Sequence, residues 1–183
     1  DAVKLVQGRP AFTADFERRG MLVAKVLHSP HAHARIRHID VTAAREVPGV
    51  AAVLTWQDIP RVAYSTAGQS DPIPGPLDSF SLDNKVRFVG DRVAFVAAET
   101  VEIAEQALKL IEVDYEDLPV VTDPLAALAP EAALLHPEKG TNELHRYRII
   151  KGDIEEGFRQ ADVIVEAEYR TPAQEHAFLQ PEA

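Results

Sequence analysis

No cysteine occurs anywhere in this chain, which excludes disulfides, cysteine-ligated zinc and cysteine-held iron–sulfur clusters from it. No run of about 18 apolar residues occurs either, so nothing in it reads as a membrane-spanning helix. Cations are scarce, with 19 Lys and Arg against 29 Asp and Glu for a net charge of −10. Without a dense basic patch to offset that repulsion, phosphate backbones are disfavoured and nucleic acid is not an expected partner. Gly90-Asp91 and Gly152-Asp153 are not followed by the glycine-rich loop, Lys and helix of a phosphate site, and no Gly-x-Ser-x-Gly elbow exists. The opening Asp1-Ala-Val-Lys4 has neither a basic head nor an apolar core, so the expectation is a cytoplasmic protein. The remaining composition is ordinary, with 46% hydrophobic and 26% charged residues in 183. That length suits one domain, or one domain and a piece of another, with a core hiding roughly 70% of the unfolded surface.

Short strands and helices alternate. Met21 to Leu27 is apolar except for Lys25, as in a strand covered on both faces. Ser29-Pro30 interrupts it, because Pro30 has no amide to donate. Ala34 to Val41 alternates with Ile36 and Ile39 out of period, which a bulge near His38 reconciles. Thr42 is positioned to cap a short helix through Val47, Pro48-Gly49 turns, and Val50 to Leu54 returns as a buried strand. Residues 60–84, with Pro60, Pro72, Pro74 and Pro76, read as one loop of about 25 residues, far above the common length of about 4–6. Val86 to Val89 and Val93 to Ala97 read as strands of a hairpin turned at Gly90-Asp91. Thr100 is placed to cap a helix whose stripe is Ile103, Ala104, Ala107, Leu108, Leu110 and Ile111. Ile111 to Tyr115 alternates as a half-exposed strand, and Asp123-Pro124 opens a short helix through Leu128.

Between about residue 122 and residue 145 the composition turns linker-like. Beyond it, Glu143 to Lys151 and Val163 to Tyr169 read as strands around a helix near Ile154 to Gln160. One helix and two strands cannot close a core. The expected organisation is therefore a complete domain over residues 1–135 and the start of a second over 136–183.

An ordered set of motifs carries a resemblance. Gly8-Arg-Pro-Ala-Phe-Thr-Ala-Asp15, Ser29-Pro-His-Ala-His-Ala34, Pro48-Gly-Val50, Val86-Arg-Phe-Val-Gly-Asp-Arg-Val-Ala94, and Ile111-Glu-Val-Asp-Tyr115 with Leu118-Pro-Val120 follow one another. They resemble the opening of the molybdenum-binding large subunit of the xanthine dehydrogenase and aldehyde oxidase family. Lys151-Gly-Asp153 and Gln174-Glu-His-Ala-Phe-Leu-Gln-Pro-Glu182 resemble the start of its molybdopterin-binding domain. The resemblance implies an α+β fold, the α/β hammerhead, with a mixed sheet and short helices. It implies oxidative hydroxylation of N-heterocycles or aldehydes with water as the oxygen source, or of carbon monoxide in one branch. The implied cofactor of the full enzyme is a molybdopterin-type molybdenum centre, with iron–sulfur clusters and FAD on partner domains or subunits. Implied partners are the remainder of the molybdenum subunit and those redox units. The pterin-contacting segments and catalytic glutamate of the family have no counterpart in residues 1–183. This part is thus expected to be structural and inactive alone, with no catalytic, cofactor-binding or metal residues of its own. Many relatives carry Glu where this chain has Gln180, which leaves the substrate subtype open.

Four constellations remain. His28, His31, His33 and His38 crowd the Ser29-Pro30 turn, and His31 and His33 can share an ion if both lie on one strand face. The carboxylate or cysteine that would complete a ligand set is missing apart from Asp40. The resemblance assigns the segment to a structural turn, with Ser29 and a histidine capping backbone. Glu112/Asp114 and Glu116/Asp117 pair carboxylates, but Ile111, Val113 and Tyr115 alternate with them as on a solvated sheet face. Gly152-Asp153 reads as a helix start. Gln174, Glu175, His176 and Gln180 surround Ala177, Phe178 and Leu179, a pattern for polar groups near a site, with Gln174, His176 and Gln180 the candidates. The competing functional reading is a free-standing, non-catalytic adaptor domain of the same fold, which would close its own core. Under the enzyme reading, the edges of residues 143–183 lack their partners, and the expectation is either a dimer through this segment, with Val163-Ile-Val-Glu-Ala167 as the pairing strand, or a C-terminal segment that is mobile and readily cut by protease.

Overall fold

The computed structural model describes residues 2–10, 12–66 and 77–174. Along it run helix α1 (Ala2–Val6), strands β1 (Val23–His28) and β2 (Ala34–Asp40), helix α2 (Thr42–Arg45) and strands β3 (Val50–Leu54), β4 (Lys85–Val86) and β5 (Arg92–Ala98). Helix α3 (Val101–Leu108), strand β6 (Glu112–Asp117) and helix α4 (Ile154–Gln160) follow. These fall into two units: Gly20 to Arg146, and residues up to Arg19 together with those from Tyr147 onward.

In the first unit the sheet order is β1-β5-β3, antiparallel throughout. Its middle strand, β5, has Val93, Ala94, Val96 and Ala98 fully buried, because strands flank both edges and α3 packs across β1 and β5. Such a doubly covered strand reads as a nearly continuous apolar run. Helix α3 starts where expected, the Thr100 hydroxyl accepting the Ile103 amide. Ala104 and Ala107 are fully buried beneath it, and their small side chains let the helix approach the sheet closely. Leu110, which the apolar stripe included, is instead 39% exposed, since the helix ends at Leu108. Gly49 has a positive φ of 88°, and a Cβ there would lie 2.7 Å from Ile103 Cδ1. The positive φ makes glycine the favoured residue in the turn that brings β3 under α3.

The second sheet has the order β4-β2-β6. On β2 the register against β6 shifts between Ile36 and His38. That bulge turns Ile36 and Ile39 to the core together, both buried, as their broken period required.

The structure corrects several expectations. The α+β class stands, but the strands form two antiparallel sheets rather than a mixed one. No hairpin joins the segments around Gly90-Asp91: β4 and β5 lie in different sheets. The chain crosses between sheets there because the corner bonds to the Ser29 backbone, Gly90 N–H donating to Ser29 O and Ser29 N–H to Asp91 O, each at 2.8 Å. Helix α2 is shorter than expected, and Thr42 lies inside it, its amide donating to Asp40 Oδ1 at 2.8 Å. In the second unit α4 forms over the expected residues, with Asp153 Oδ1 accepting the Glu156 amide at 3.0 Å. The segments 143–151 and 163–169 are not strands. A helix satisfies its own backbone, whereas a strand needs a neighbour.

Candidate functional site

Ser29, buried, closes the turn after β1 on itself, its Oγ accepting from the His31 amide and donating to the His31 carbonyl, both at 3.0 Å. The histidines around it diverge. His28 Nδ1 meets Gly90 O at 2.7 Å, and His31 Nδ1 meets Asp117 Oδ1 at 2.7 Å with its ring 4.4 Å from that of Tyr115. Buried His33 places Nδ1 2.7 Å from Pro119 O. A carbonyl only accepts, so the His33 hydrogen is on Nδ1. Its Nε2 is buried with no protein partner. Burial, with the charges of Lys85 and Arg87, holds the His33 pKa below the ordinary imidazole value against the raising effect of the Pro119 bond. His38 is exposed on β2. The Nδ1 atoms of His28, His31 and His33 thus serve separate backbone or carboxylate partners, and among the described residues no group of three His, Asp or Glu can hold a metal ion.

A second polar centre lies at the base of the 60–84 segment. Asp83 is 6% exposed and accepts from Arg61 Nε at 2.9 Å and Nη2 at 3.1 Å, from Arg87 Nη2 at 2.9 Å and from the Asn84 amide at 2.9 Å. Arg61 also stacks over Phe80, 3.8 Å from the ring centroid. Arg92 donates to Tyr64 Oη at 2.8 Å and to Phe80 O at 3.0 Å, and Tyr64 bridges to Ser79. Both described limbs of the segment are clamped against the corner that precedes β5. Burial alone would push the Asp83 carboxyl up, but the hydrogen bonds and charges of Arg61 and Arg87 outweigh it and hold the pKa below the usual carboxylate range.

The connector after β6 is fastened in the same way. Lys85 Nζ donates to Leu135 O at 2.6 Å. Asn142 donates to Ala127 O and Ala133 O at 3.0 and 2.9 Å and accepts from the Leu135 amide at 3.1 Å. Leu135 and Asn142 line a cavity of about 190 Å³ with His136, Lys139 and Leu144, and Lys139 donates onward to Leu77 O at 3.1 Å. In the second unit an apolar groove of about 360 Å³ lies between Ile154, Phe158 and the run Val163-Ile-Val165.

Glu112 and Asp114 are exposed on the outer face of β6, with Val113 and Tyr115 half-buried opposite. That is the solvated face the alternation implied. Gln174 is exposed; Glu175, His176 and Gln180 lie outside the described residues. Sequence reasoning missed Asp83, Lys85 and Asn142. The Asp83–Arg87 spacing of i,i+4 was a weak local signal, whereas Arg61, 22 residues away, had none.

Residues 7–119 match the family described as aldehyde oxidase and xanthine dehydrogenase, a/b hammerhead domain. Residues 135–183 match the molybdopterin cofactor-binding domain. The chain is 40% identical over 178 residues to a probable xanthine dehydrogenase subunit of Bacillus subtilis (strain 168), covering 97% of this chain and 23% of the relative. It is 38% identical over 206 residues to a probable hypoxanthine oxidase of Escherichia coli O157:H7, covering 93% of this chain and 22% of the relative. Among solved structures, the Cu,Mo-CO dehydrogenase in its carbon monoxide reduced state superimposes with a TM-score of 0.68 at 33% identity, over 88% of this chain and 22% of that one. The chain therefore spans under a quarter of the length of these relatives.

Proposed function

The chain belongs to the aldehyde oxidase and xanthine dehydrogenase family, and on that premise we propose that it supplies the hammerhead domain (1–135) and the start of the cofactor domain (136–183) of a molybdenum hydroxylase subunit. The observation that carries this reading is the 40% identity sustained over 97% of the chain. The full enzyme would hydroxylate an N-heterocycle or aldehyde with oxygen taken from water, working in the cytoplasm alongside iron–sulfur and FAD units. The likeness to a carbon monoxide dehydrogenase favours that branch as the second substrate class.

The described residues do not form a donor set for a molybdopterin. The polar groups of Asp83, Arg61 and Asn142 bond to one another or to backbone, and the groove at Ile154 and Phe158 is apolar. No step through the cofactor follows from them. What these residues do is scaffold: two sheets and one buried helix face hold the Ser29 turn and the connector in fixed register. Gln174, His176 and Gln180 are our candidates for polar groups near the reaction centre of the whole subunit.

Grafting residues 1–183 in place of the matching segment of the Bacillus subtilis relative tests the reading. A chimaera that keeps its molybdenum content and its activity on a purine supports it. A folded chimaera without molybdenum overturns it.

A further inference from the structure

Strand β2 begins where β6 ends, and the chain leaves β6 along a strap held by two histidines. The Leu118 amide donates to His33 O at 2.9 Å, the His33 ring donates to Pro119 O at 2.7 Å, and His31 pairs with Asp117 at 2.7 Å. The Nδ1–H bond to Pro119 is made by the neutral and the protonated ring alike, so what protonation changes is the other nitrogen. Protonation would put a hydrogen on Nε2, which is buried with no protein acceptor. The charges acting on the ring come from Lys85 of β4 and Arg87 just beyond it, both cations. Asp117, the nearby carboxylate of β6, is engaged by His31. For a buried imidazolium near two cations, the Pro119 carbonyl only partly offsets desolvation and repulsion.

We propose that His33 is an acid-opened latch, whose protonation releases residues 118–120 from β2 and loosens the connector leading to residue 146. Above about 6.5 the ring is neutral whether the strap is closed or open, so acidity changes nothing there. Below that value the open form takes the proton first, and the closed form loses ground until the depressed value is passed. Lowering pH is thus the direction that opens the strap. His31, paired with Asp117 at the same corner, is a second titratable group facing the strap. His136 is also half-buried with its pKa lowered by burial and by Arg87, so a pH effect on the whole unit would not by itself isolate His33.

The test is amide hydrogen exchange at Leu118 in the 183-residue chain, followed by NMR and corrected for intrinsic rates. Protection at Leu118 is expected to fall by up to about tenfold per pH unit below about 6.5, while amides of β5 keep theirs. In His33→Asn, an amide nitrogen stands near the position of Nδ1 and does not titrate, so Leu118 protection should stay flat. Protection that holds in the native chain down to about pH 5, or falls equally in the Asn variant, overturns the latch. Should the variant fail to fold, the ring nitrogen shifts of His33 in the native chain decide. A neutral Nδ1–H form that persists until Leu118 is released supports the proposal. A ring that protonates while Leu118 stays protected overturns it.

Discussion

Asp83 is the residue on which most of the polar structure turns. It is buried, and it binds one arginine from each side of the 60–84 segment. Its truncation to Ala would leave the largely buried Arg87 without its carboxylate. Removing one partner of a buried pair commonly costs about 3–5 kcal/mol. Because Arg61 is 54% exposed, its share is smaller, and Asp83→Ala is expected to cost about 2–4 kcal/mol. Urea unfolding read on Trp56, which packs against the core, measures this, and a loss below about 0.5 kcal/mol would show the cluster to be incidental. The same carboxyl sets an acid limit. Its pKa is lowered in the fold, so its contribution is complete above the unfolded value of about 3.9 and is lost as pH falls below it. Asp83→Asn should flatten the acid limb of the stability curve below about pH 4. Gly49 is the backbone counterpart. At φ 88°, with Ile103 Cδ1 2.7 Å from where an alanine methyl would sit, Gly49→Ala meets both conformational strain and a clash, and a loss of about 1–3 kcal/mol is expected in the same assay.

Among the elements, α3 shows how far periodicity can be trusted. The apolar spacing and the Thr100 cap were legible locally, and the helix formed with that cap. Which stripe residues are covered was not legible, because that depends on where the helix ends over β1 and β5. Ala107 is fully buried and Leu110 is 39% exposed. Ala107→Leu should therefore overpack the helix–sheet contact and cost about 1–3 kcal/mol, whereas Leu110→Ala should stay within about 0.5 kcal/mol. The reverse order in thermal or urea unfolding would mean that the helix is rotated. The β2 bulge was also readable, since two isoleucines three apart on a strand share a face only if one extra residue intervenes. The Gly90-Asp91 hairpin was misread for a complementary reason. Turn residues report that the chain bends, but not which sheet each limb enters.

At the scale of the whole molecule the question is where the first unit stops. The match to the cofactor domain begins at residue 135, whereas the folded unit extends to Arg146. Asn142 and Lys139 lie in the difference, and they bond to Ala127, Ala133, Leu135 and Leu77. Residues 20–146 are expected to fold alone. Cutting at residue 135 removes those bonds and should lower stability by about 1–3 kcal/mol, as denaturant midpoints of the two truncations would show. Beyond Arg146 the apolar side chains of Ile149, Val163, Val165 and Tyr169 are exposed. The 183-residue chain is expected to self-associate through residues 143–183 and the 20–146 form to stay monomeric in sedimentation velocity. Equal behaviour of the two would mean that this apolar surface is not a self-association site.

By itself the sequence determined the features that depend on near neighbours. These are the helix starts at Thr100 and Asp153, the apolar run of β5, the bulge in β2, the lack of thiol chemistry, and the ordered motifs that identify the family. Side-chain periodicity and capping act over a few residues, so they can be read without knowing what lies opposite. Only the tertiary structure decided the division into two antiparallel sheets, the meeting of Arg61 with Asp83, and the separate partners of His28, His31 and His33. Each of these joins residues distant in sequence, and each is set by the way two faces bury apolar side chains against each other while every buried donor seeks an acceptor.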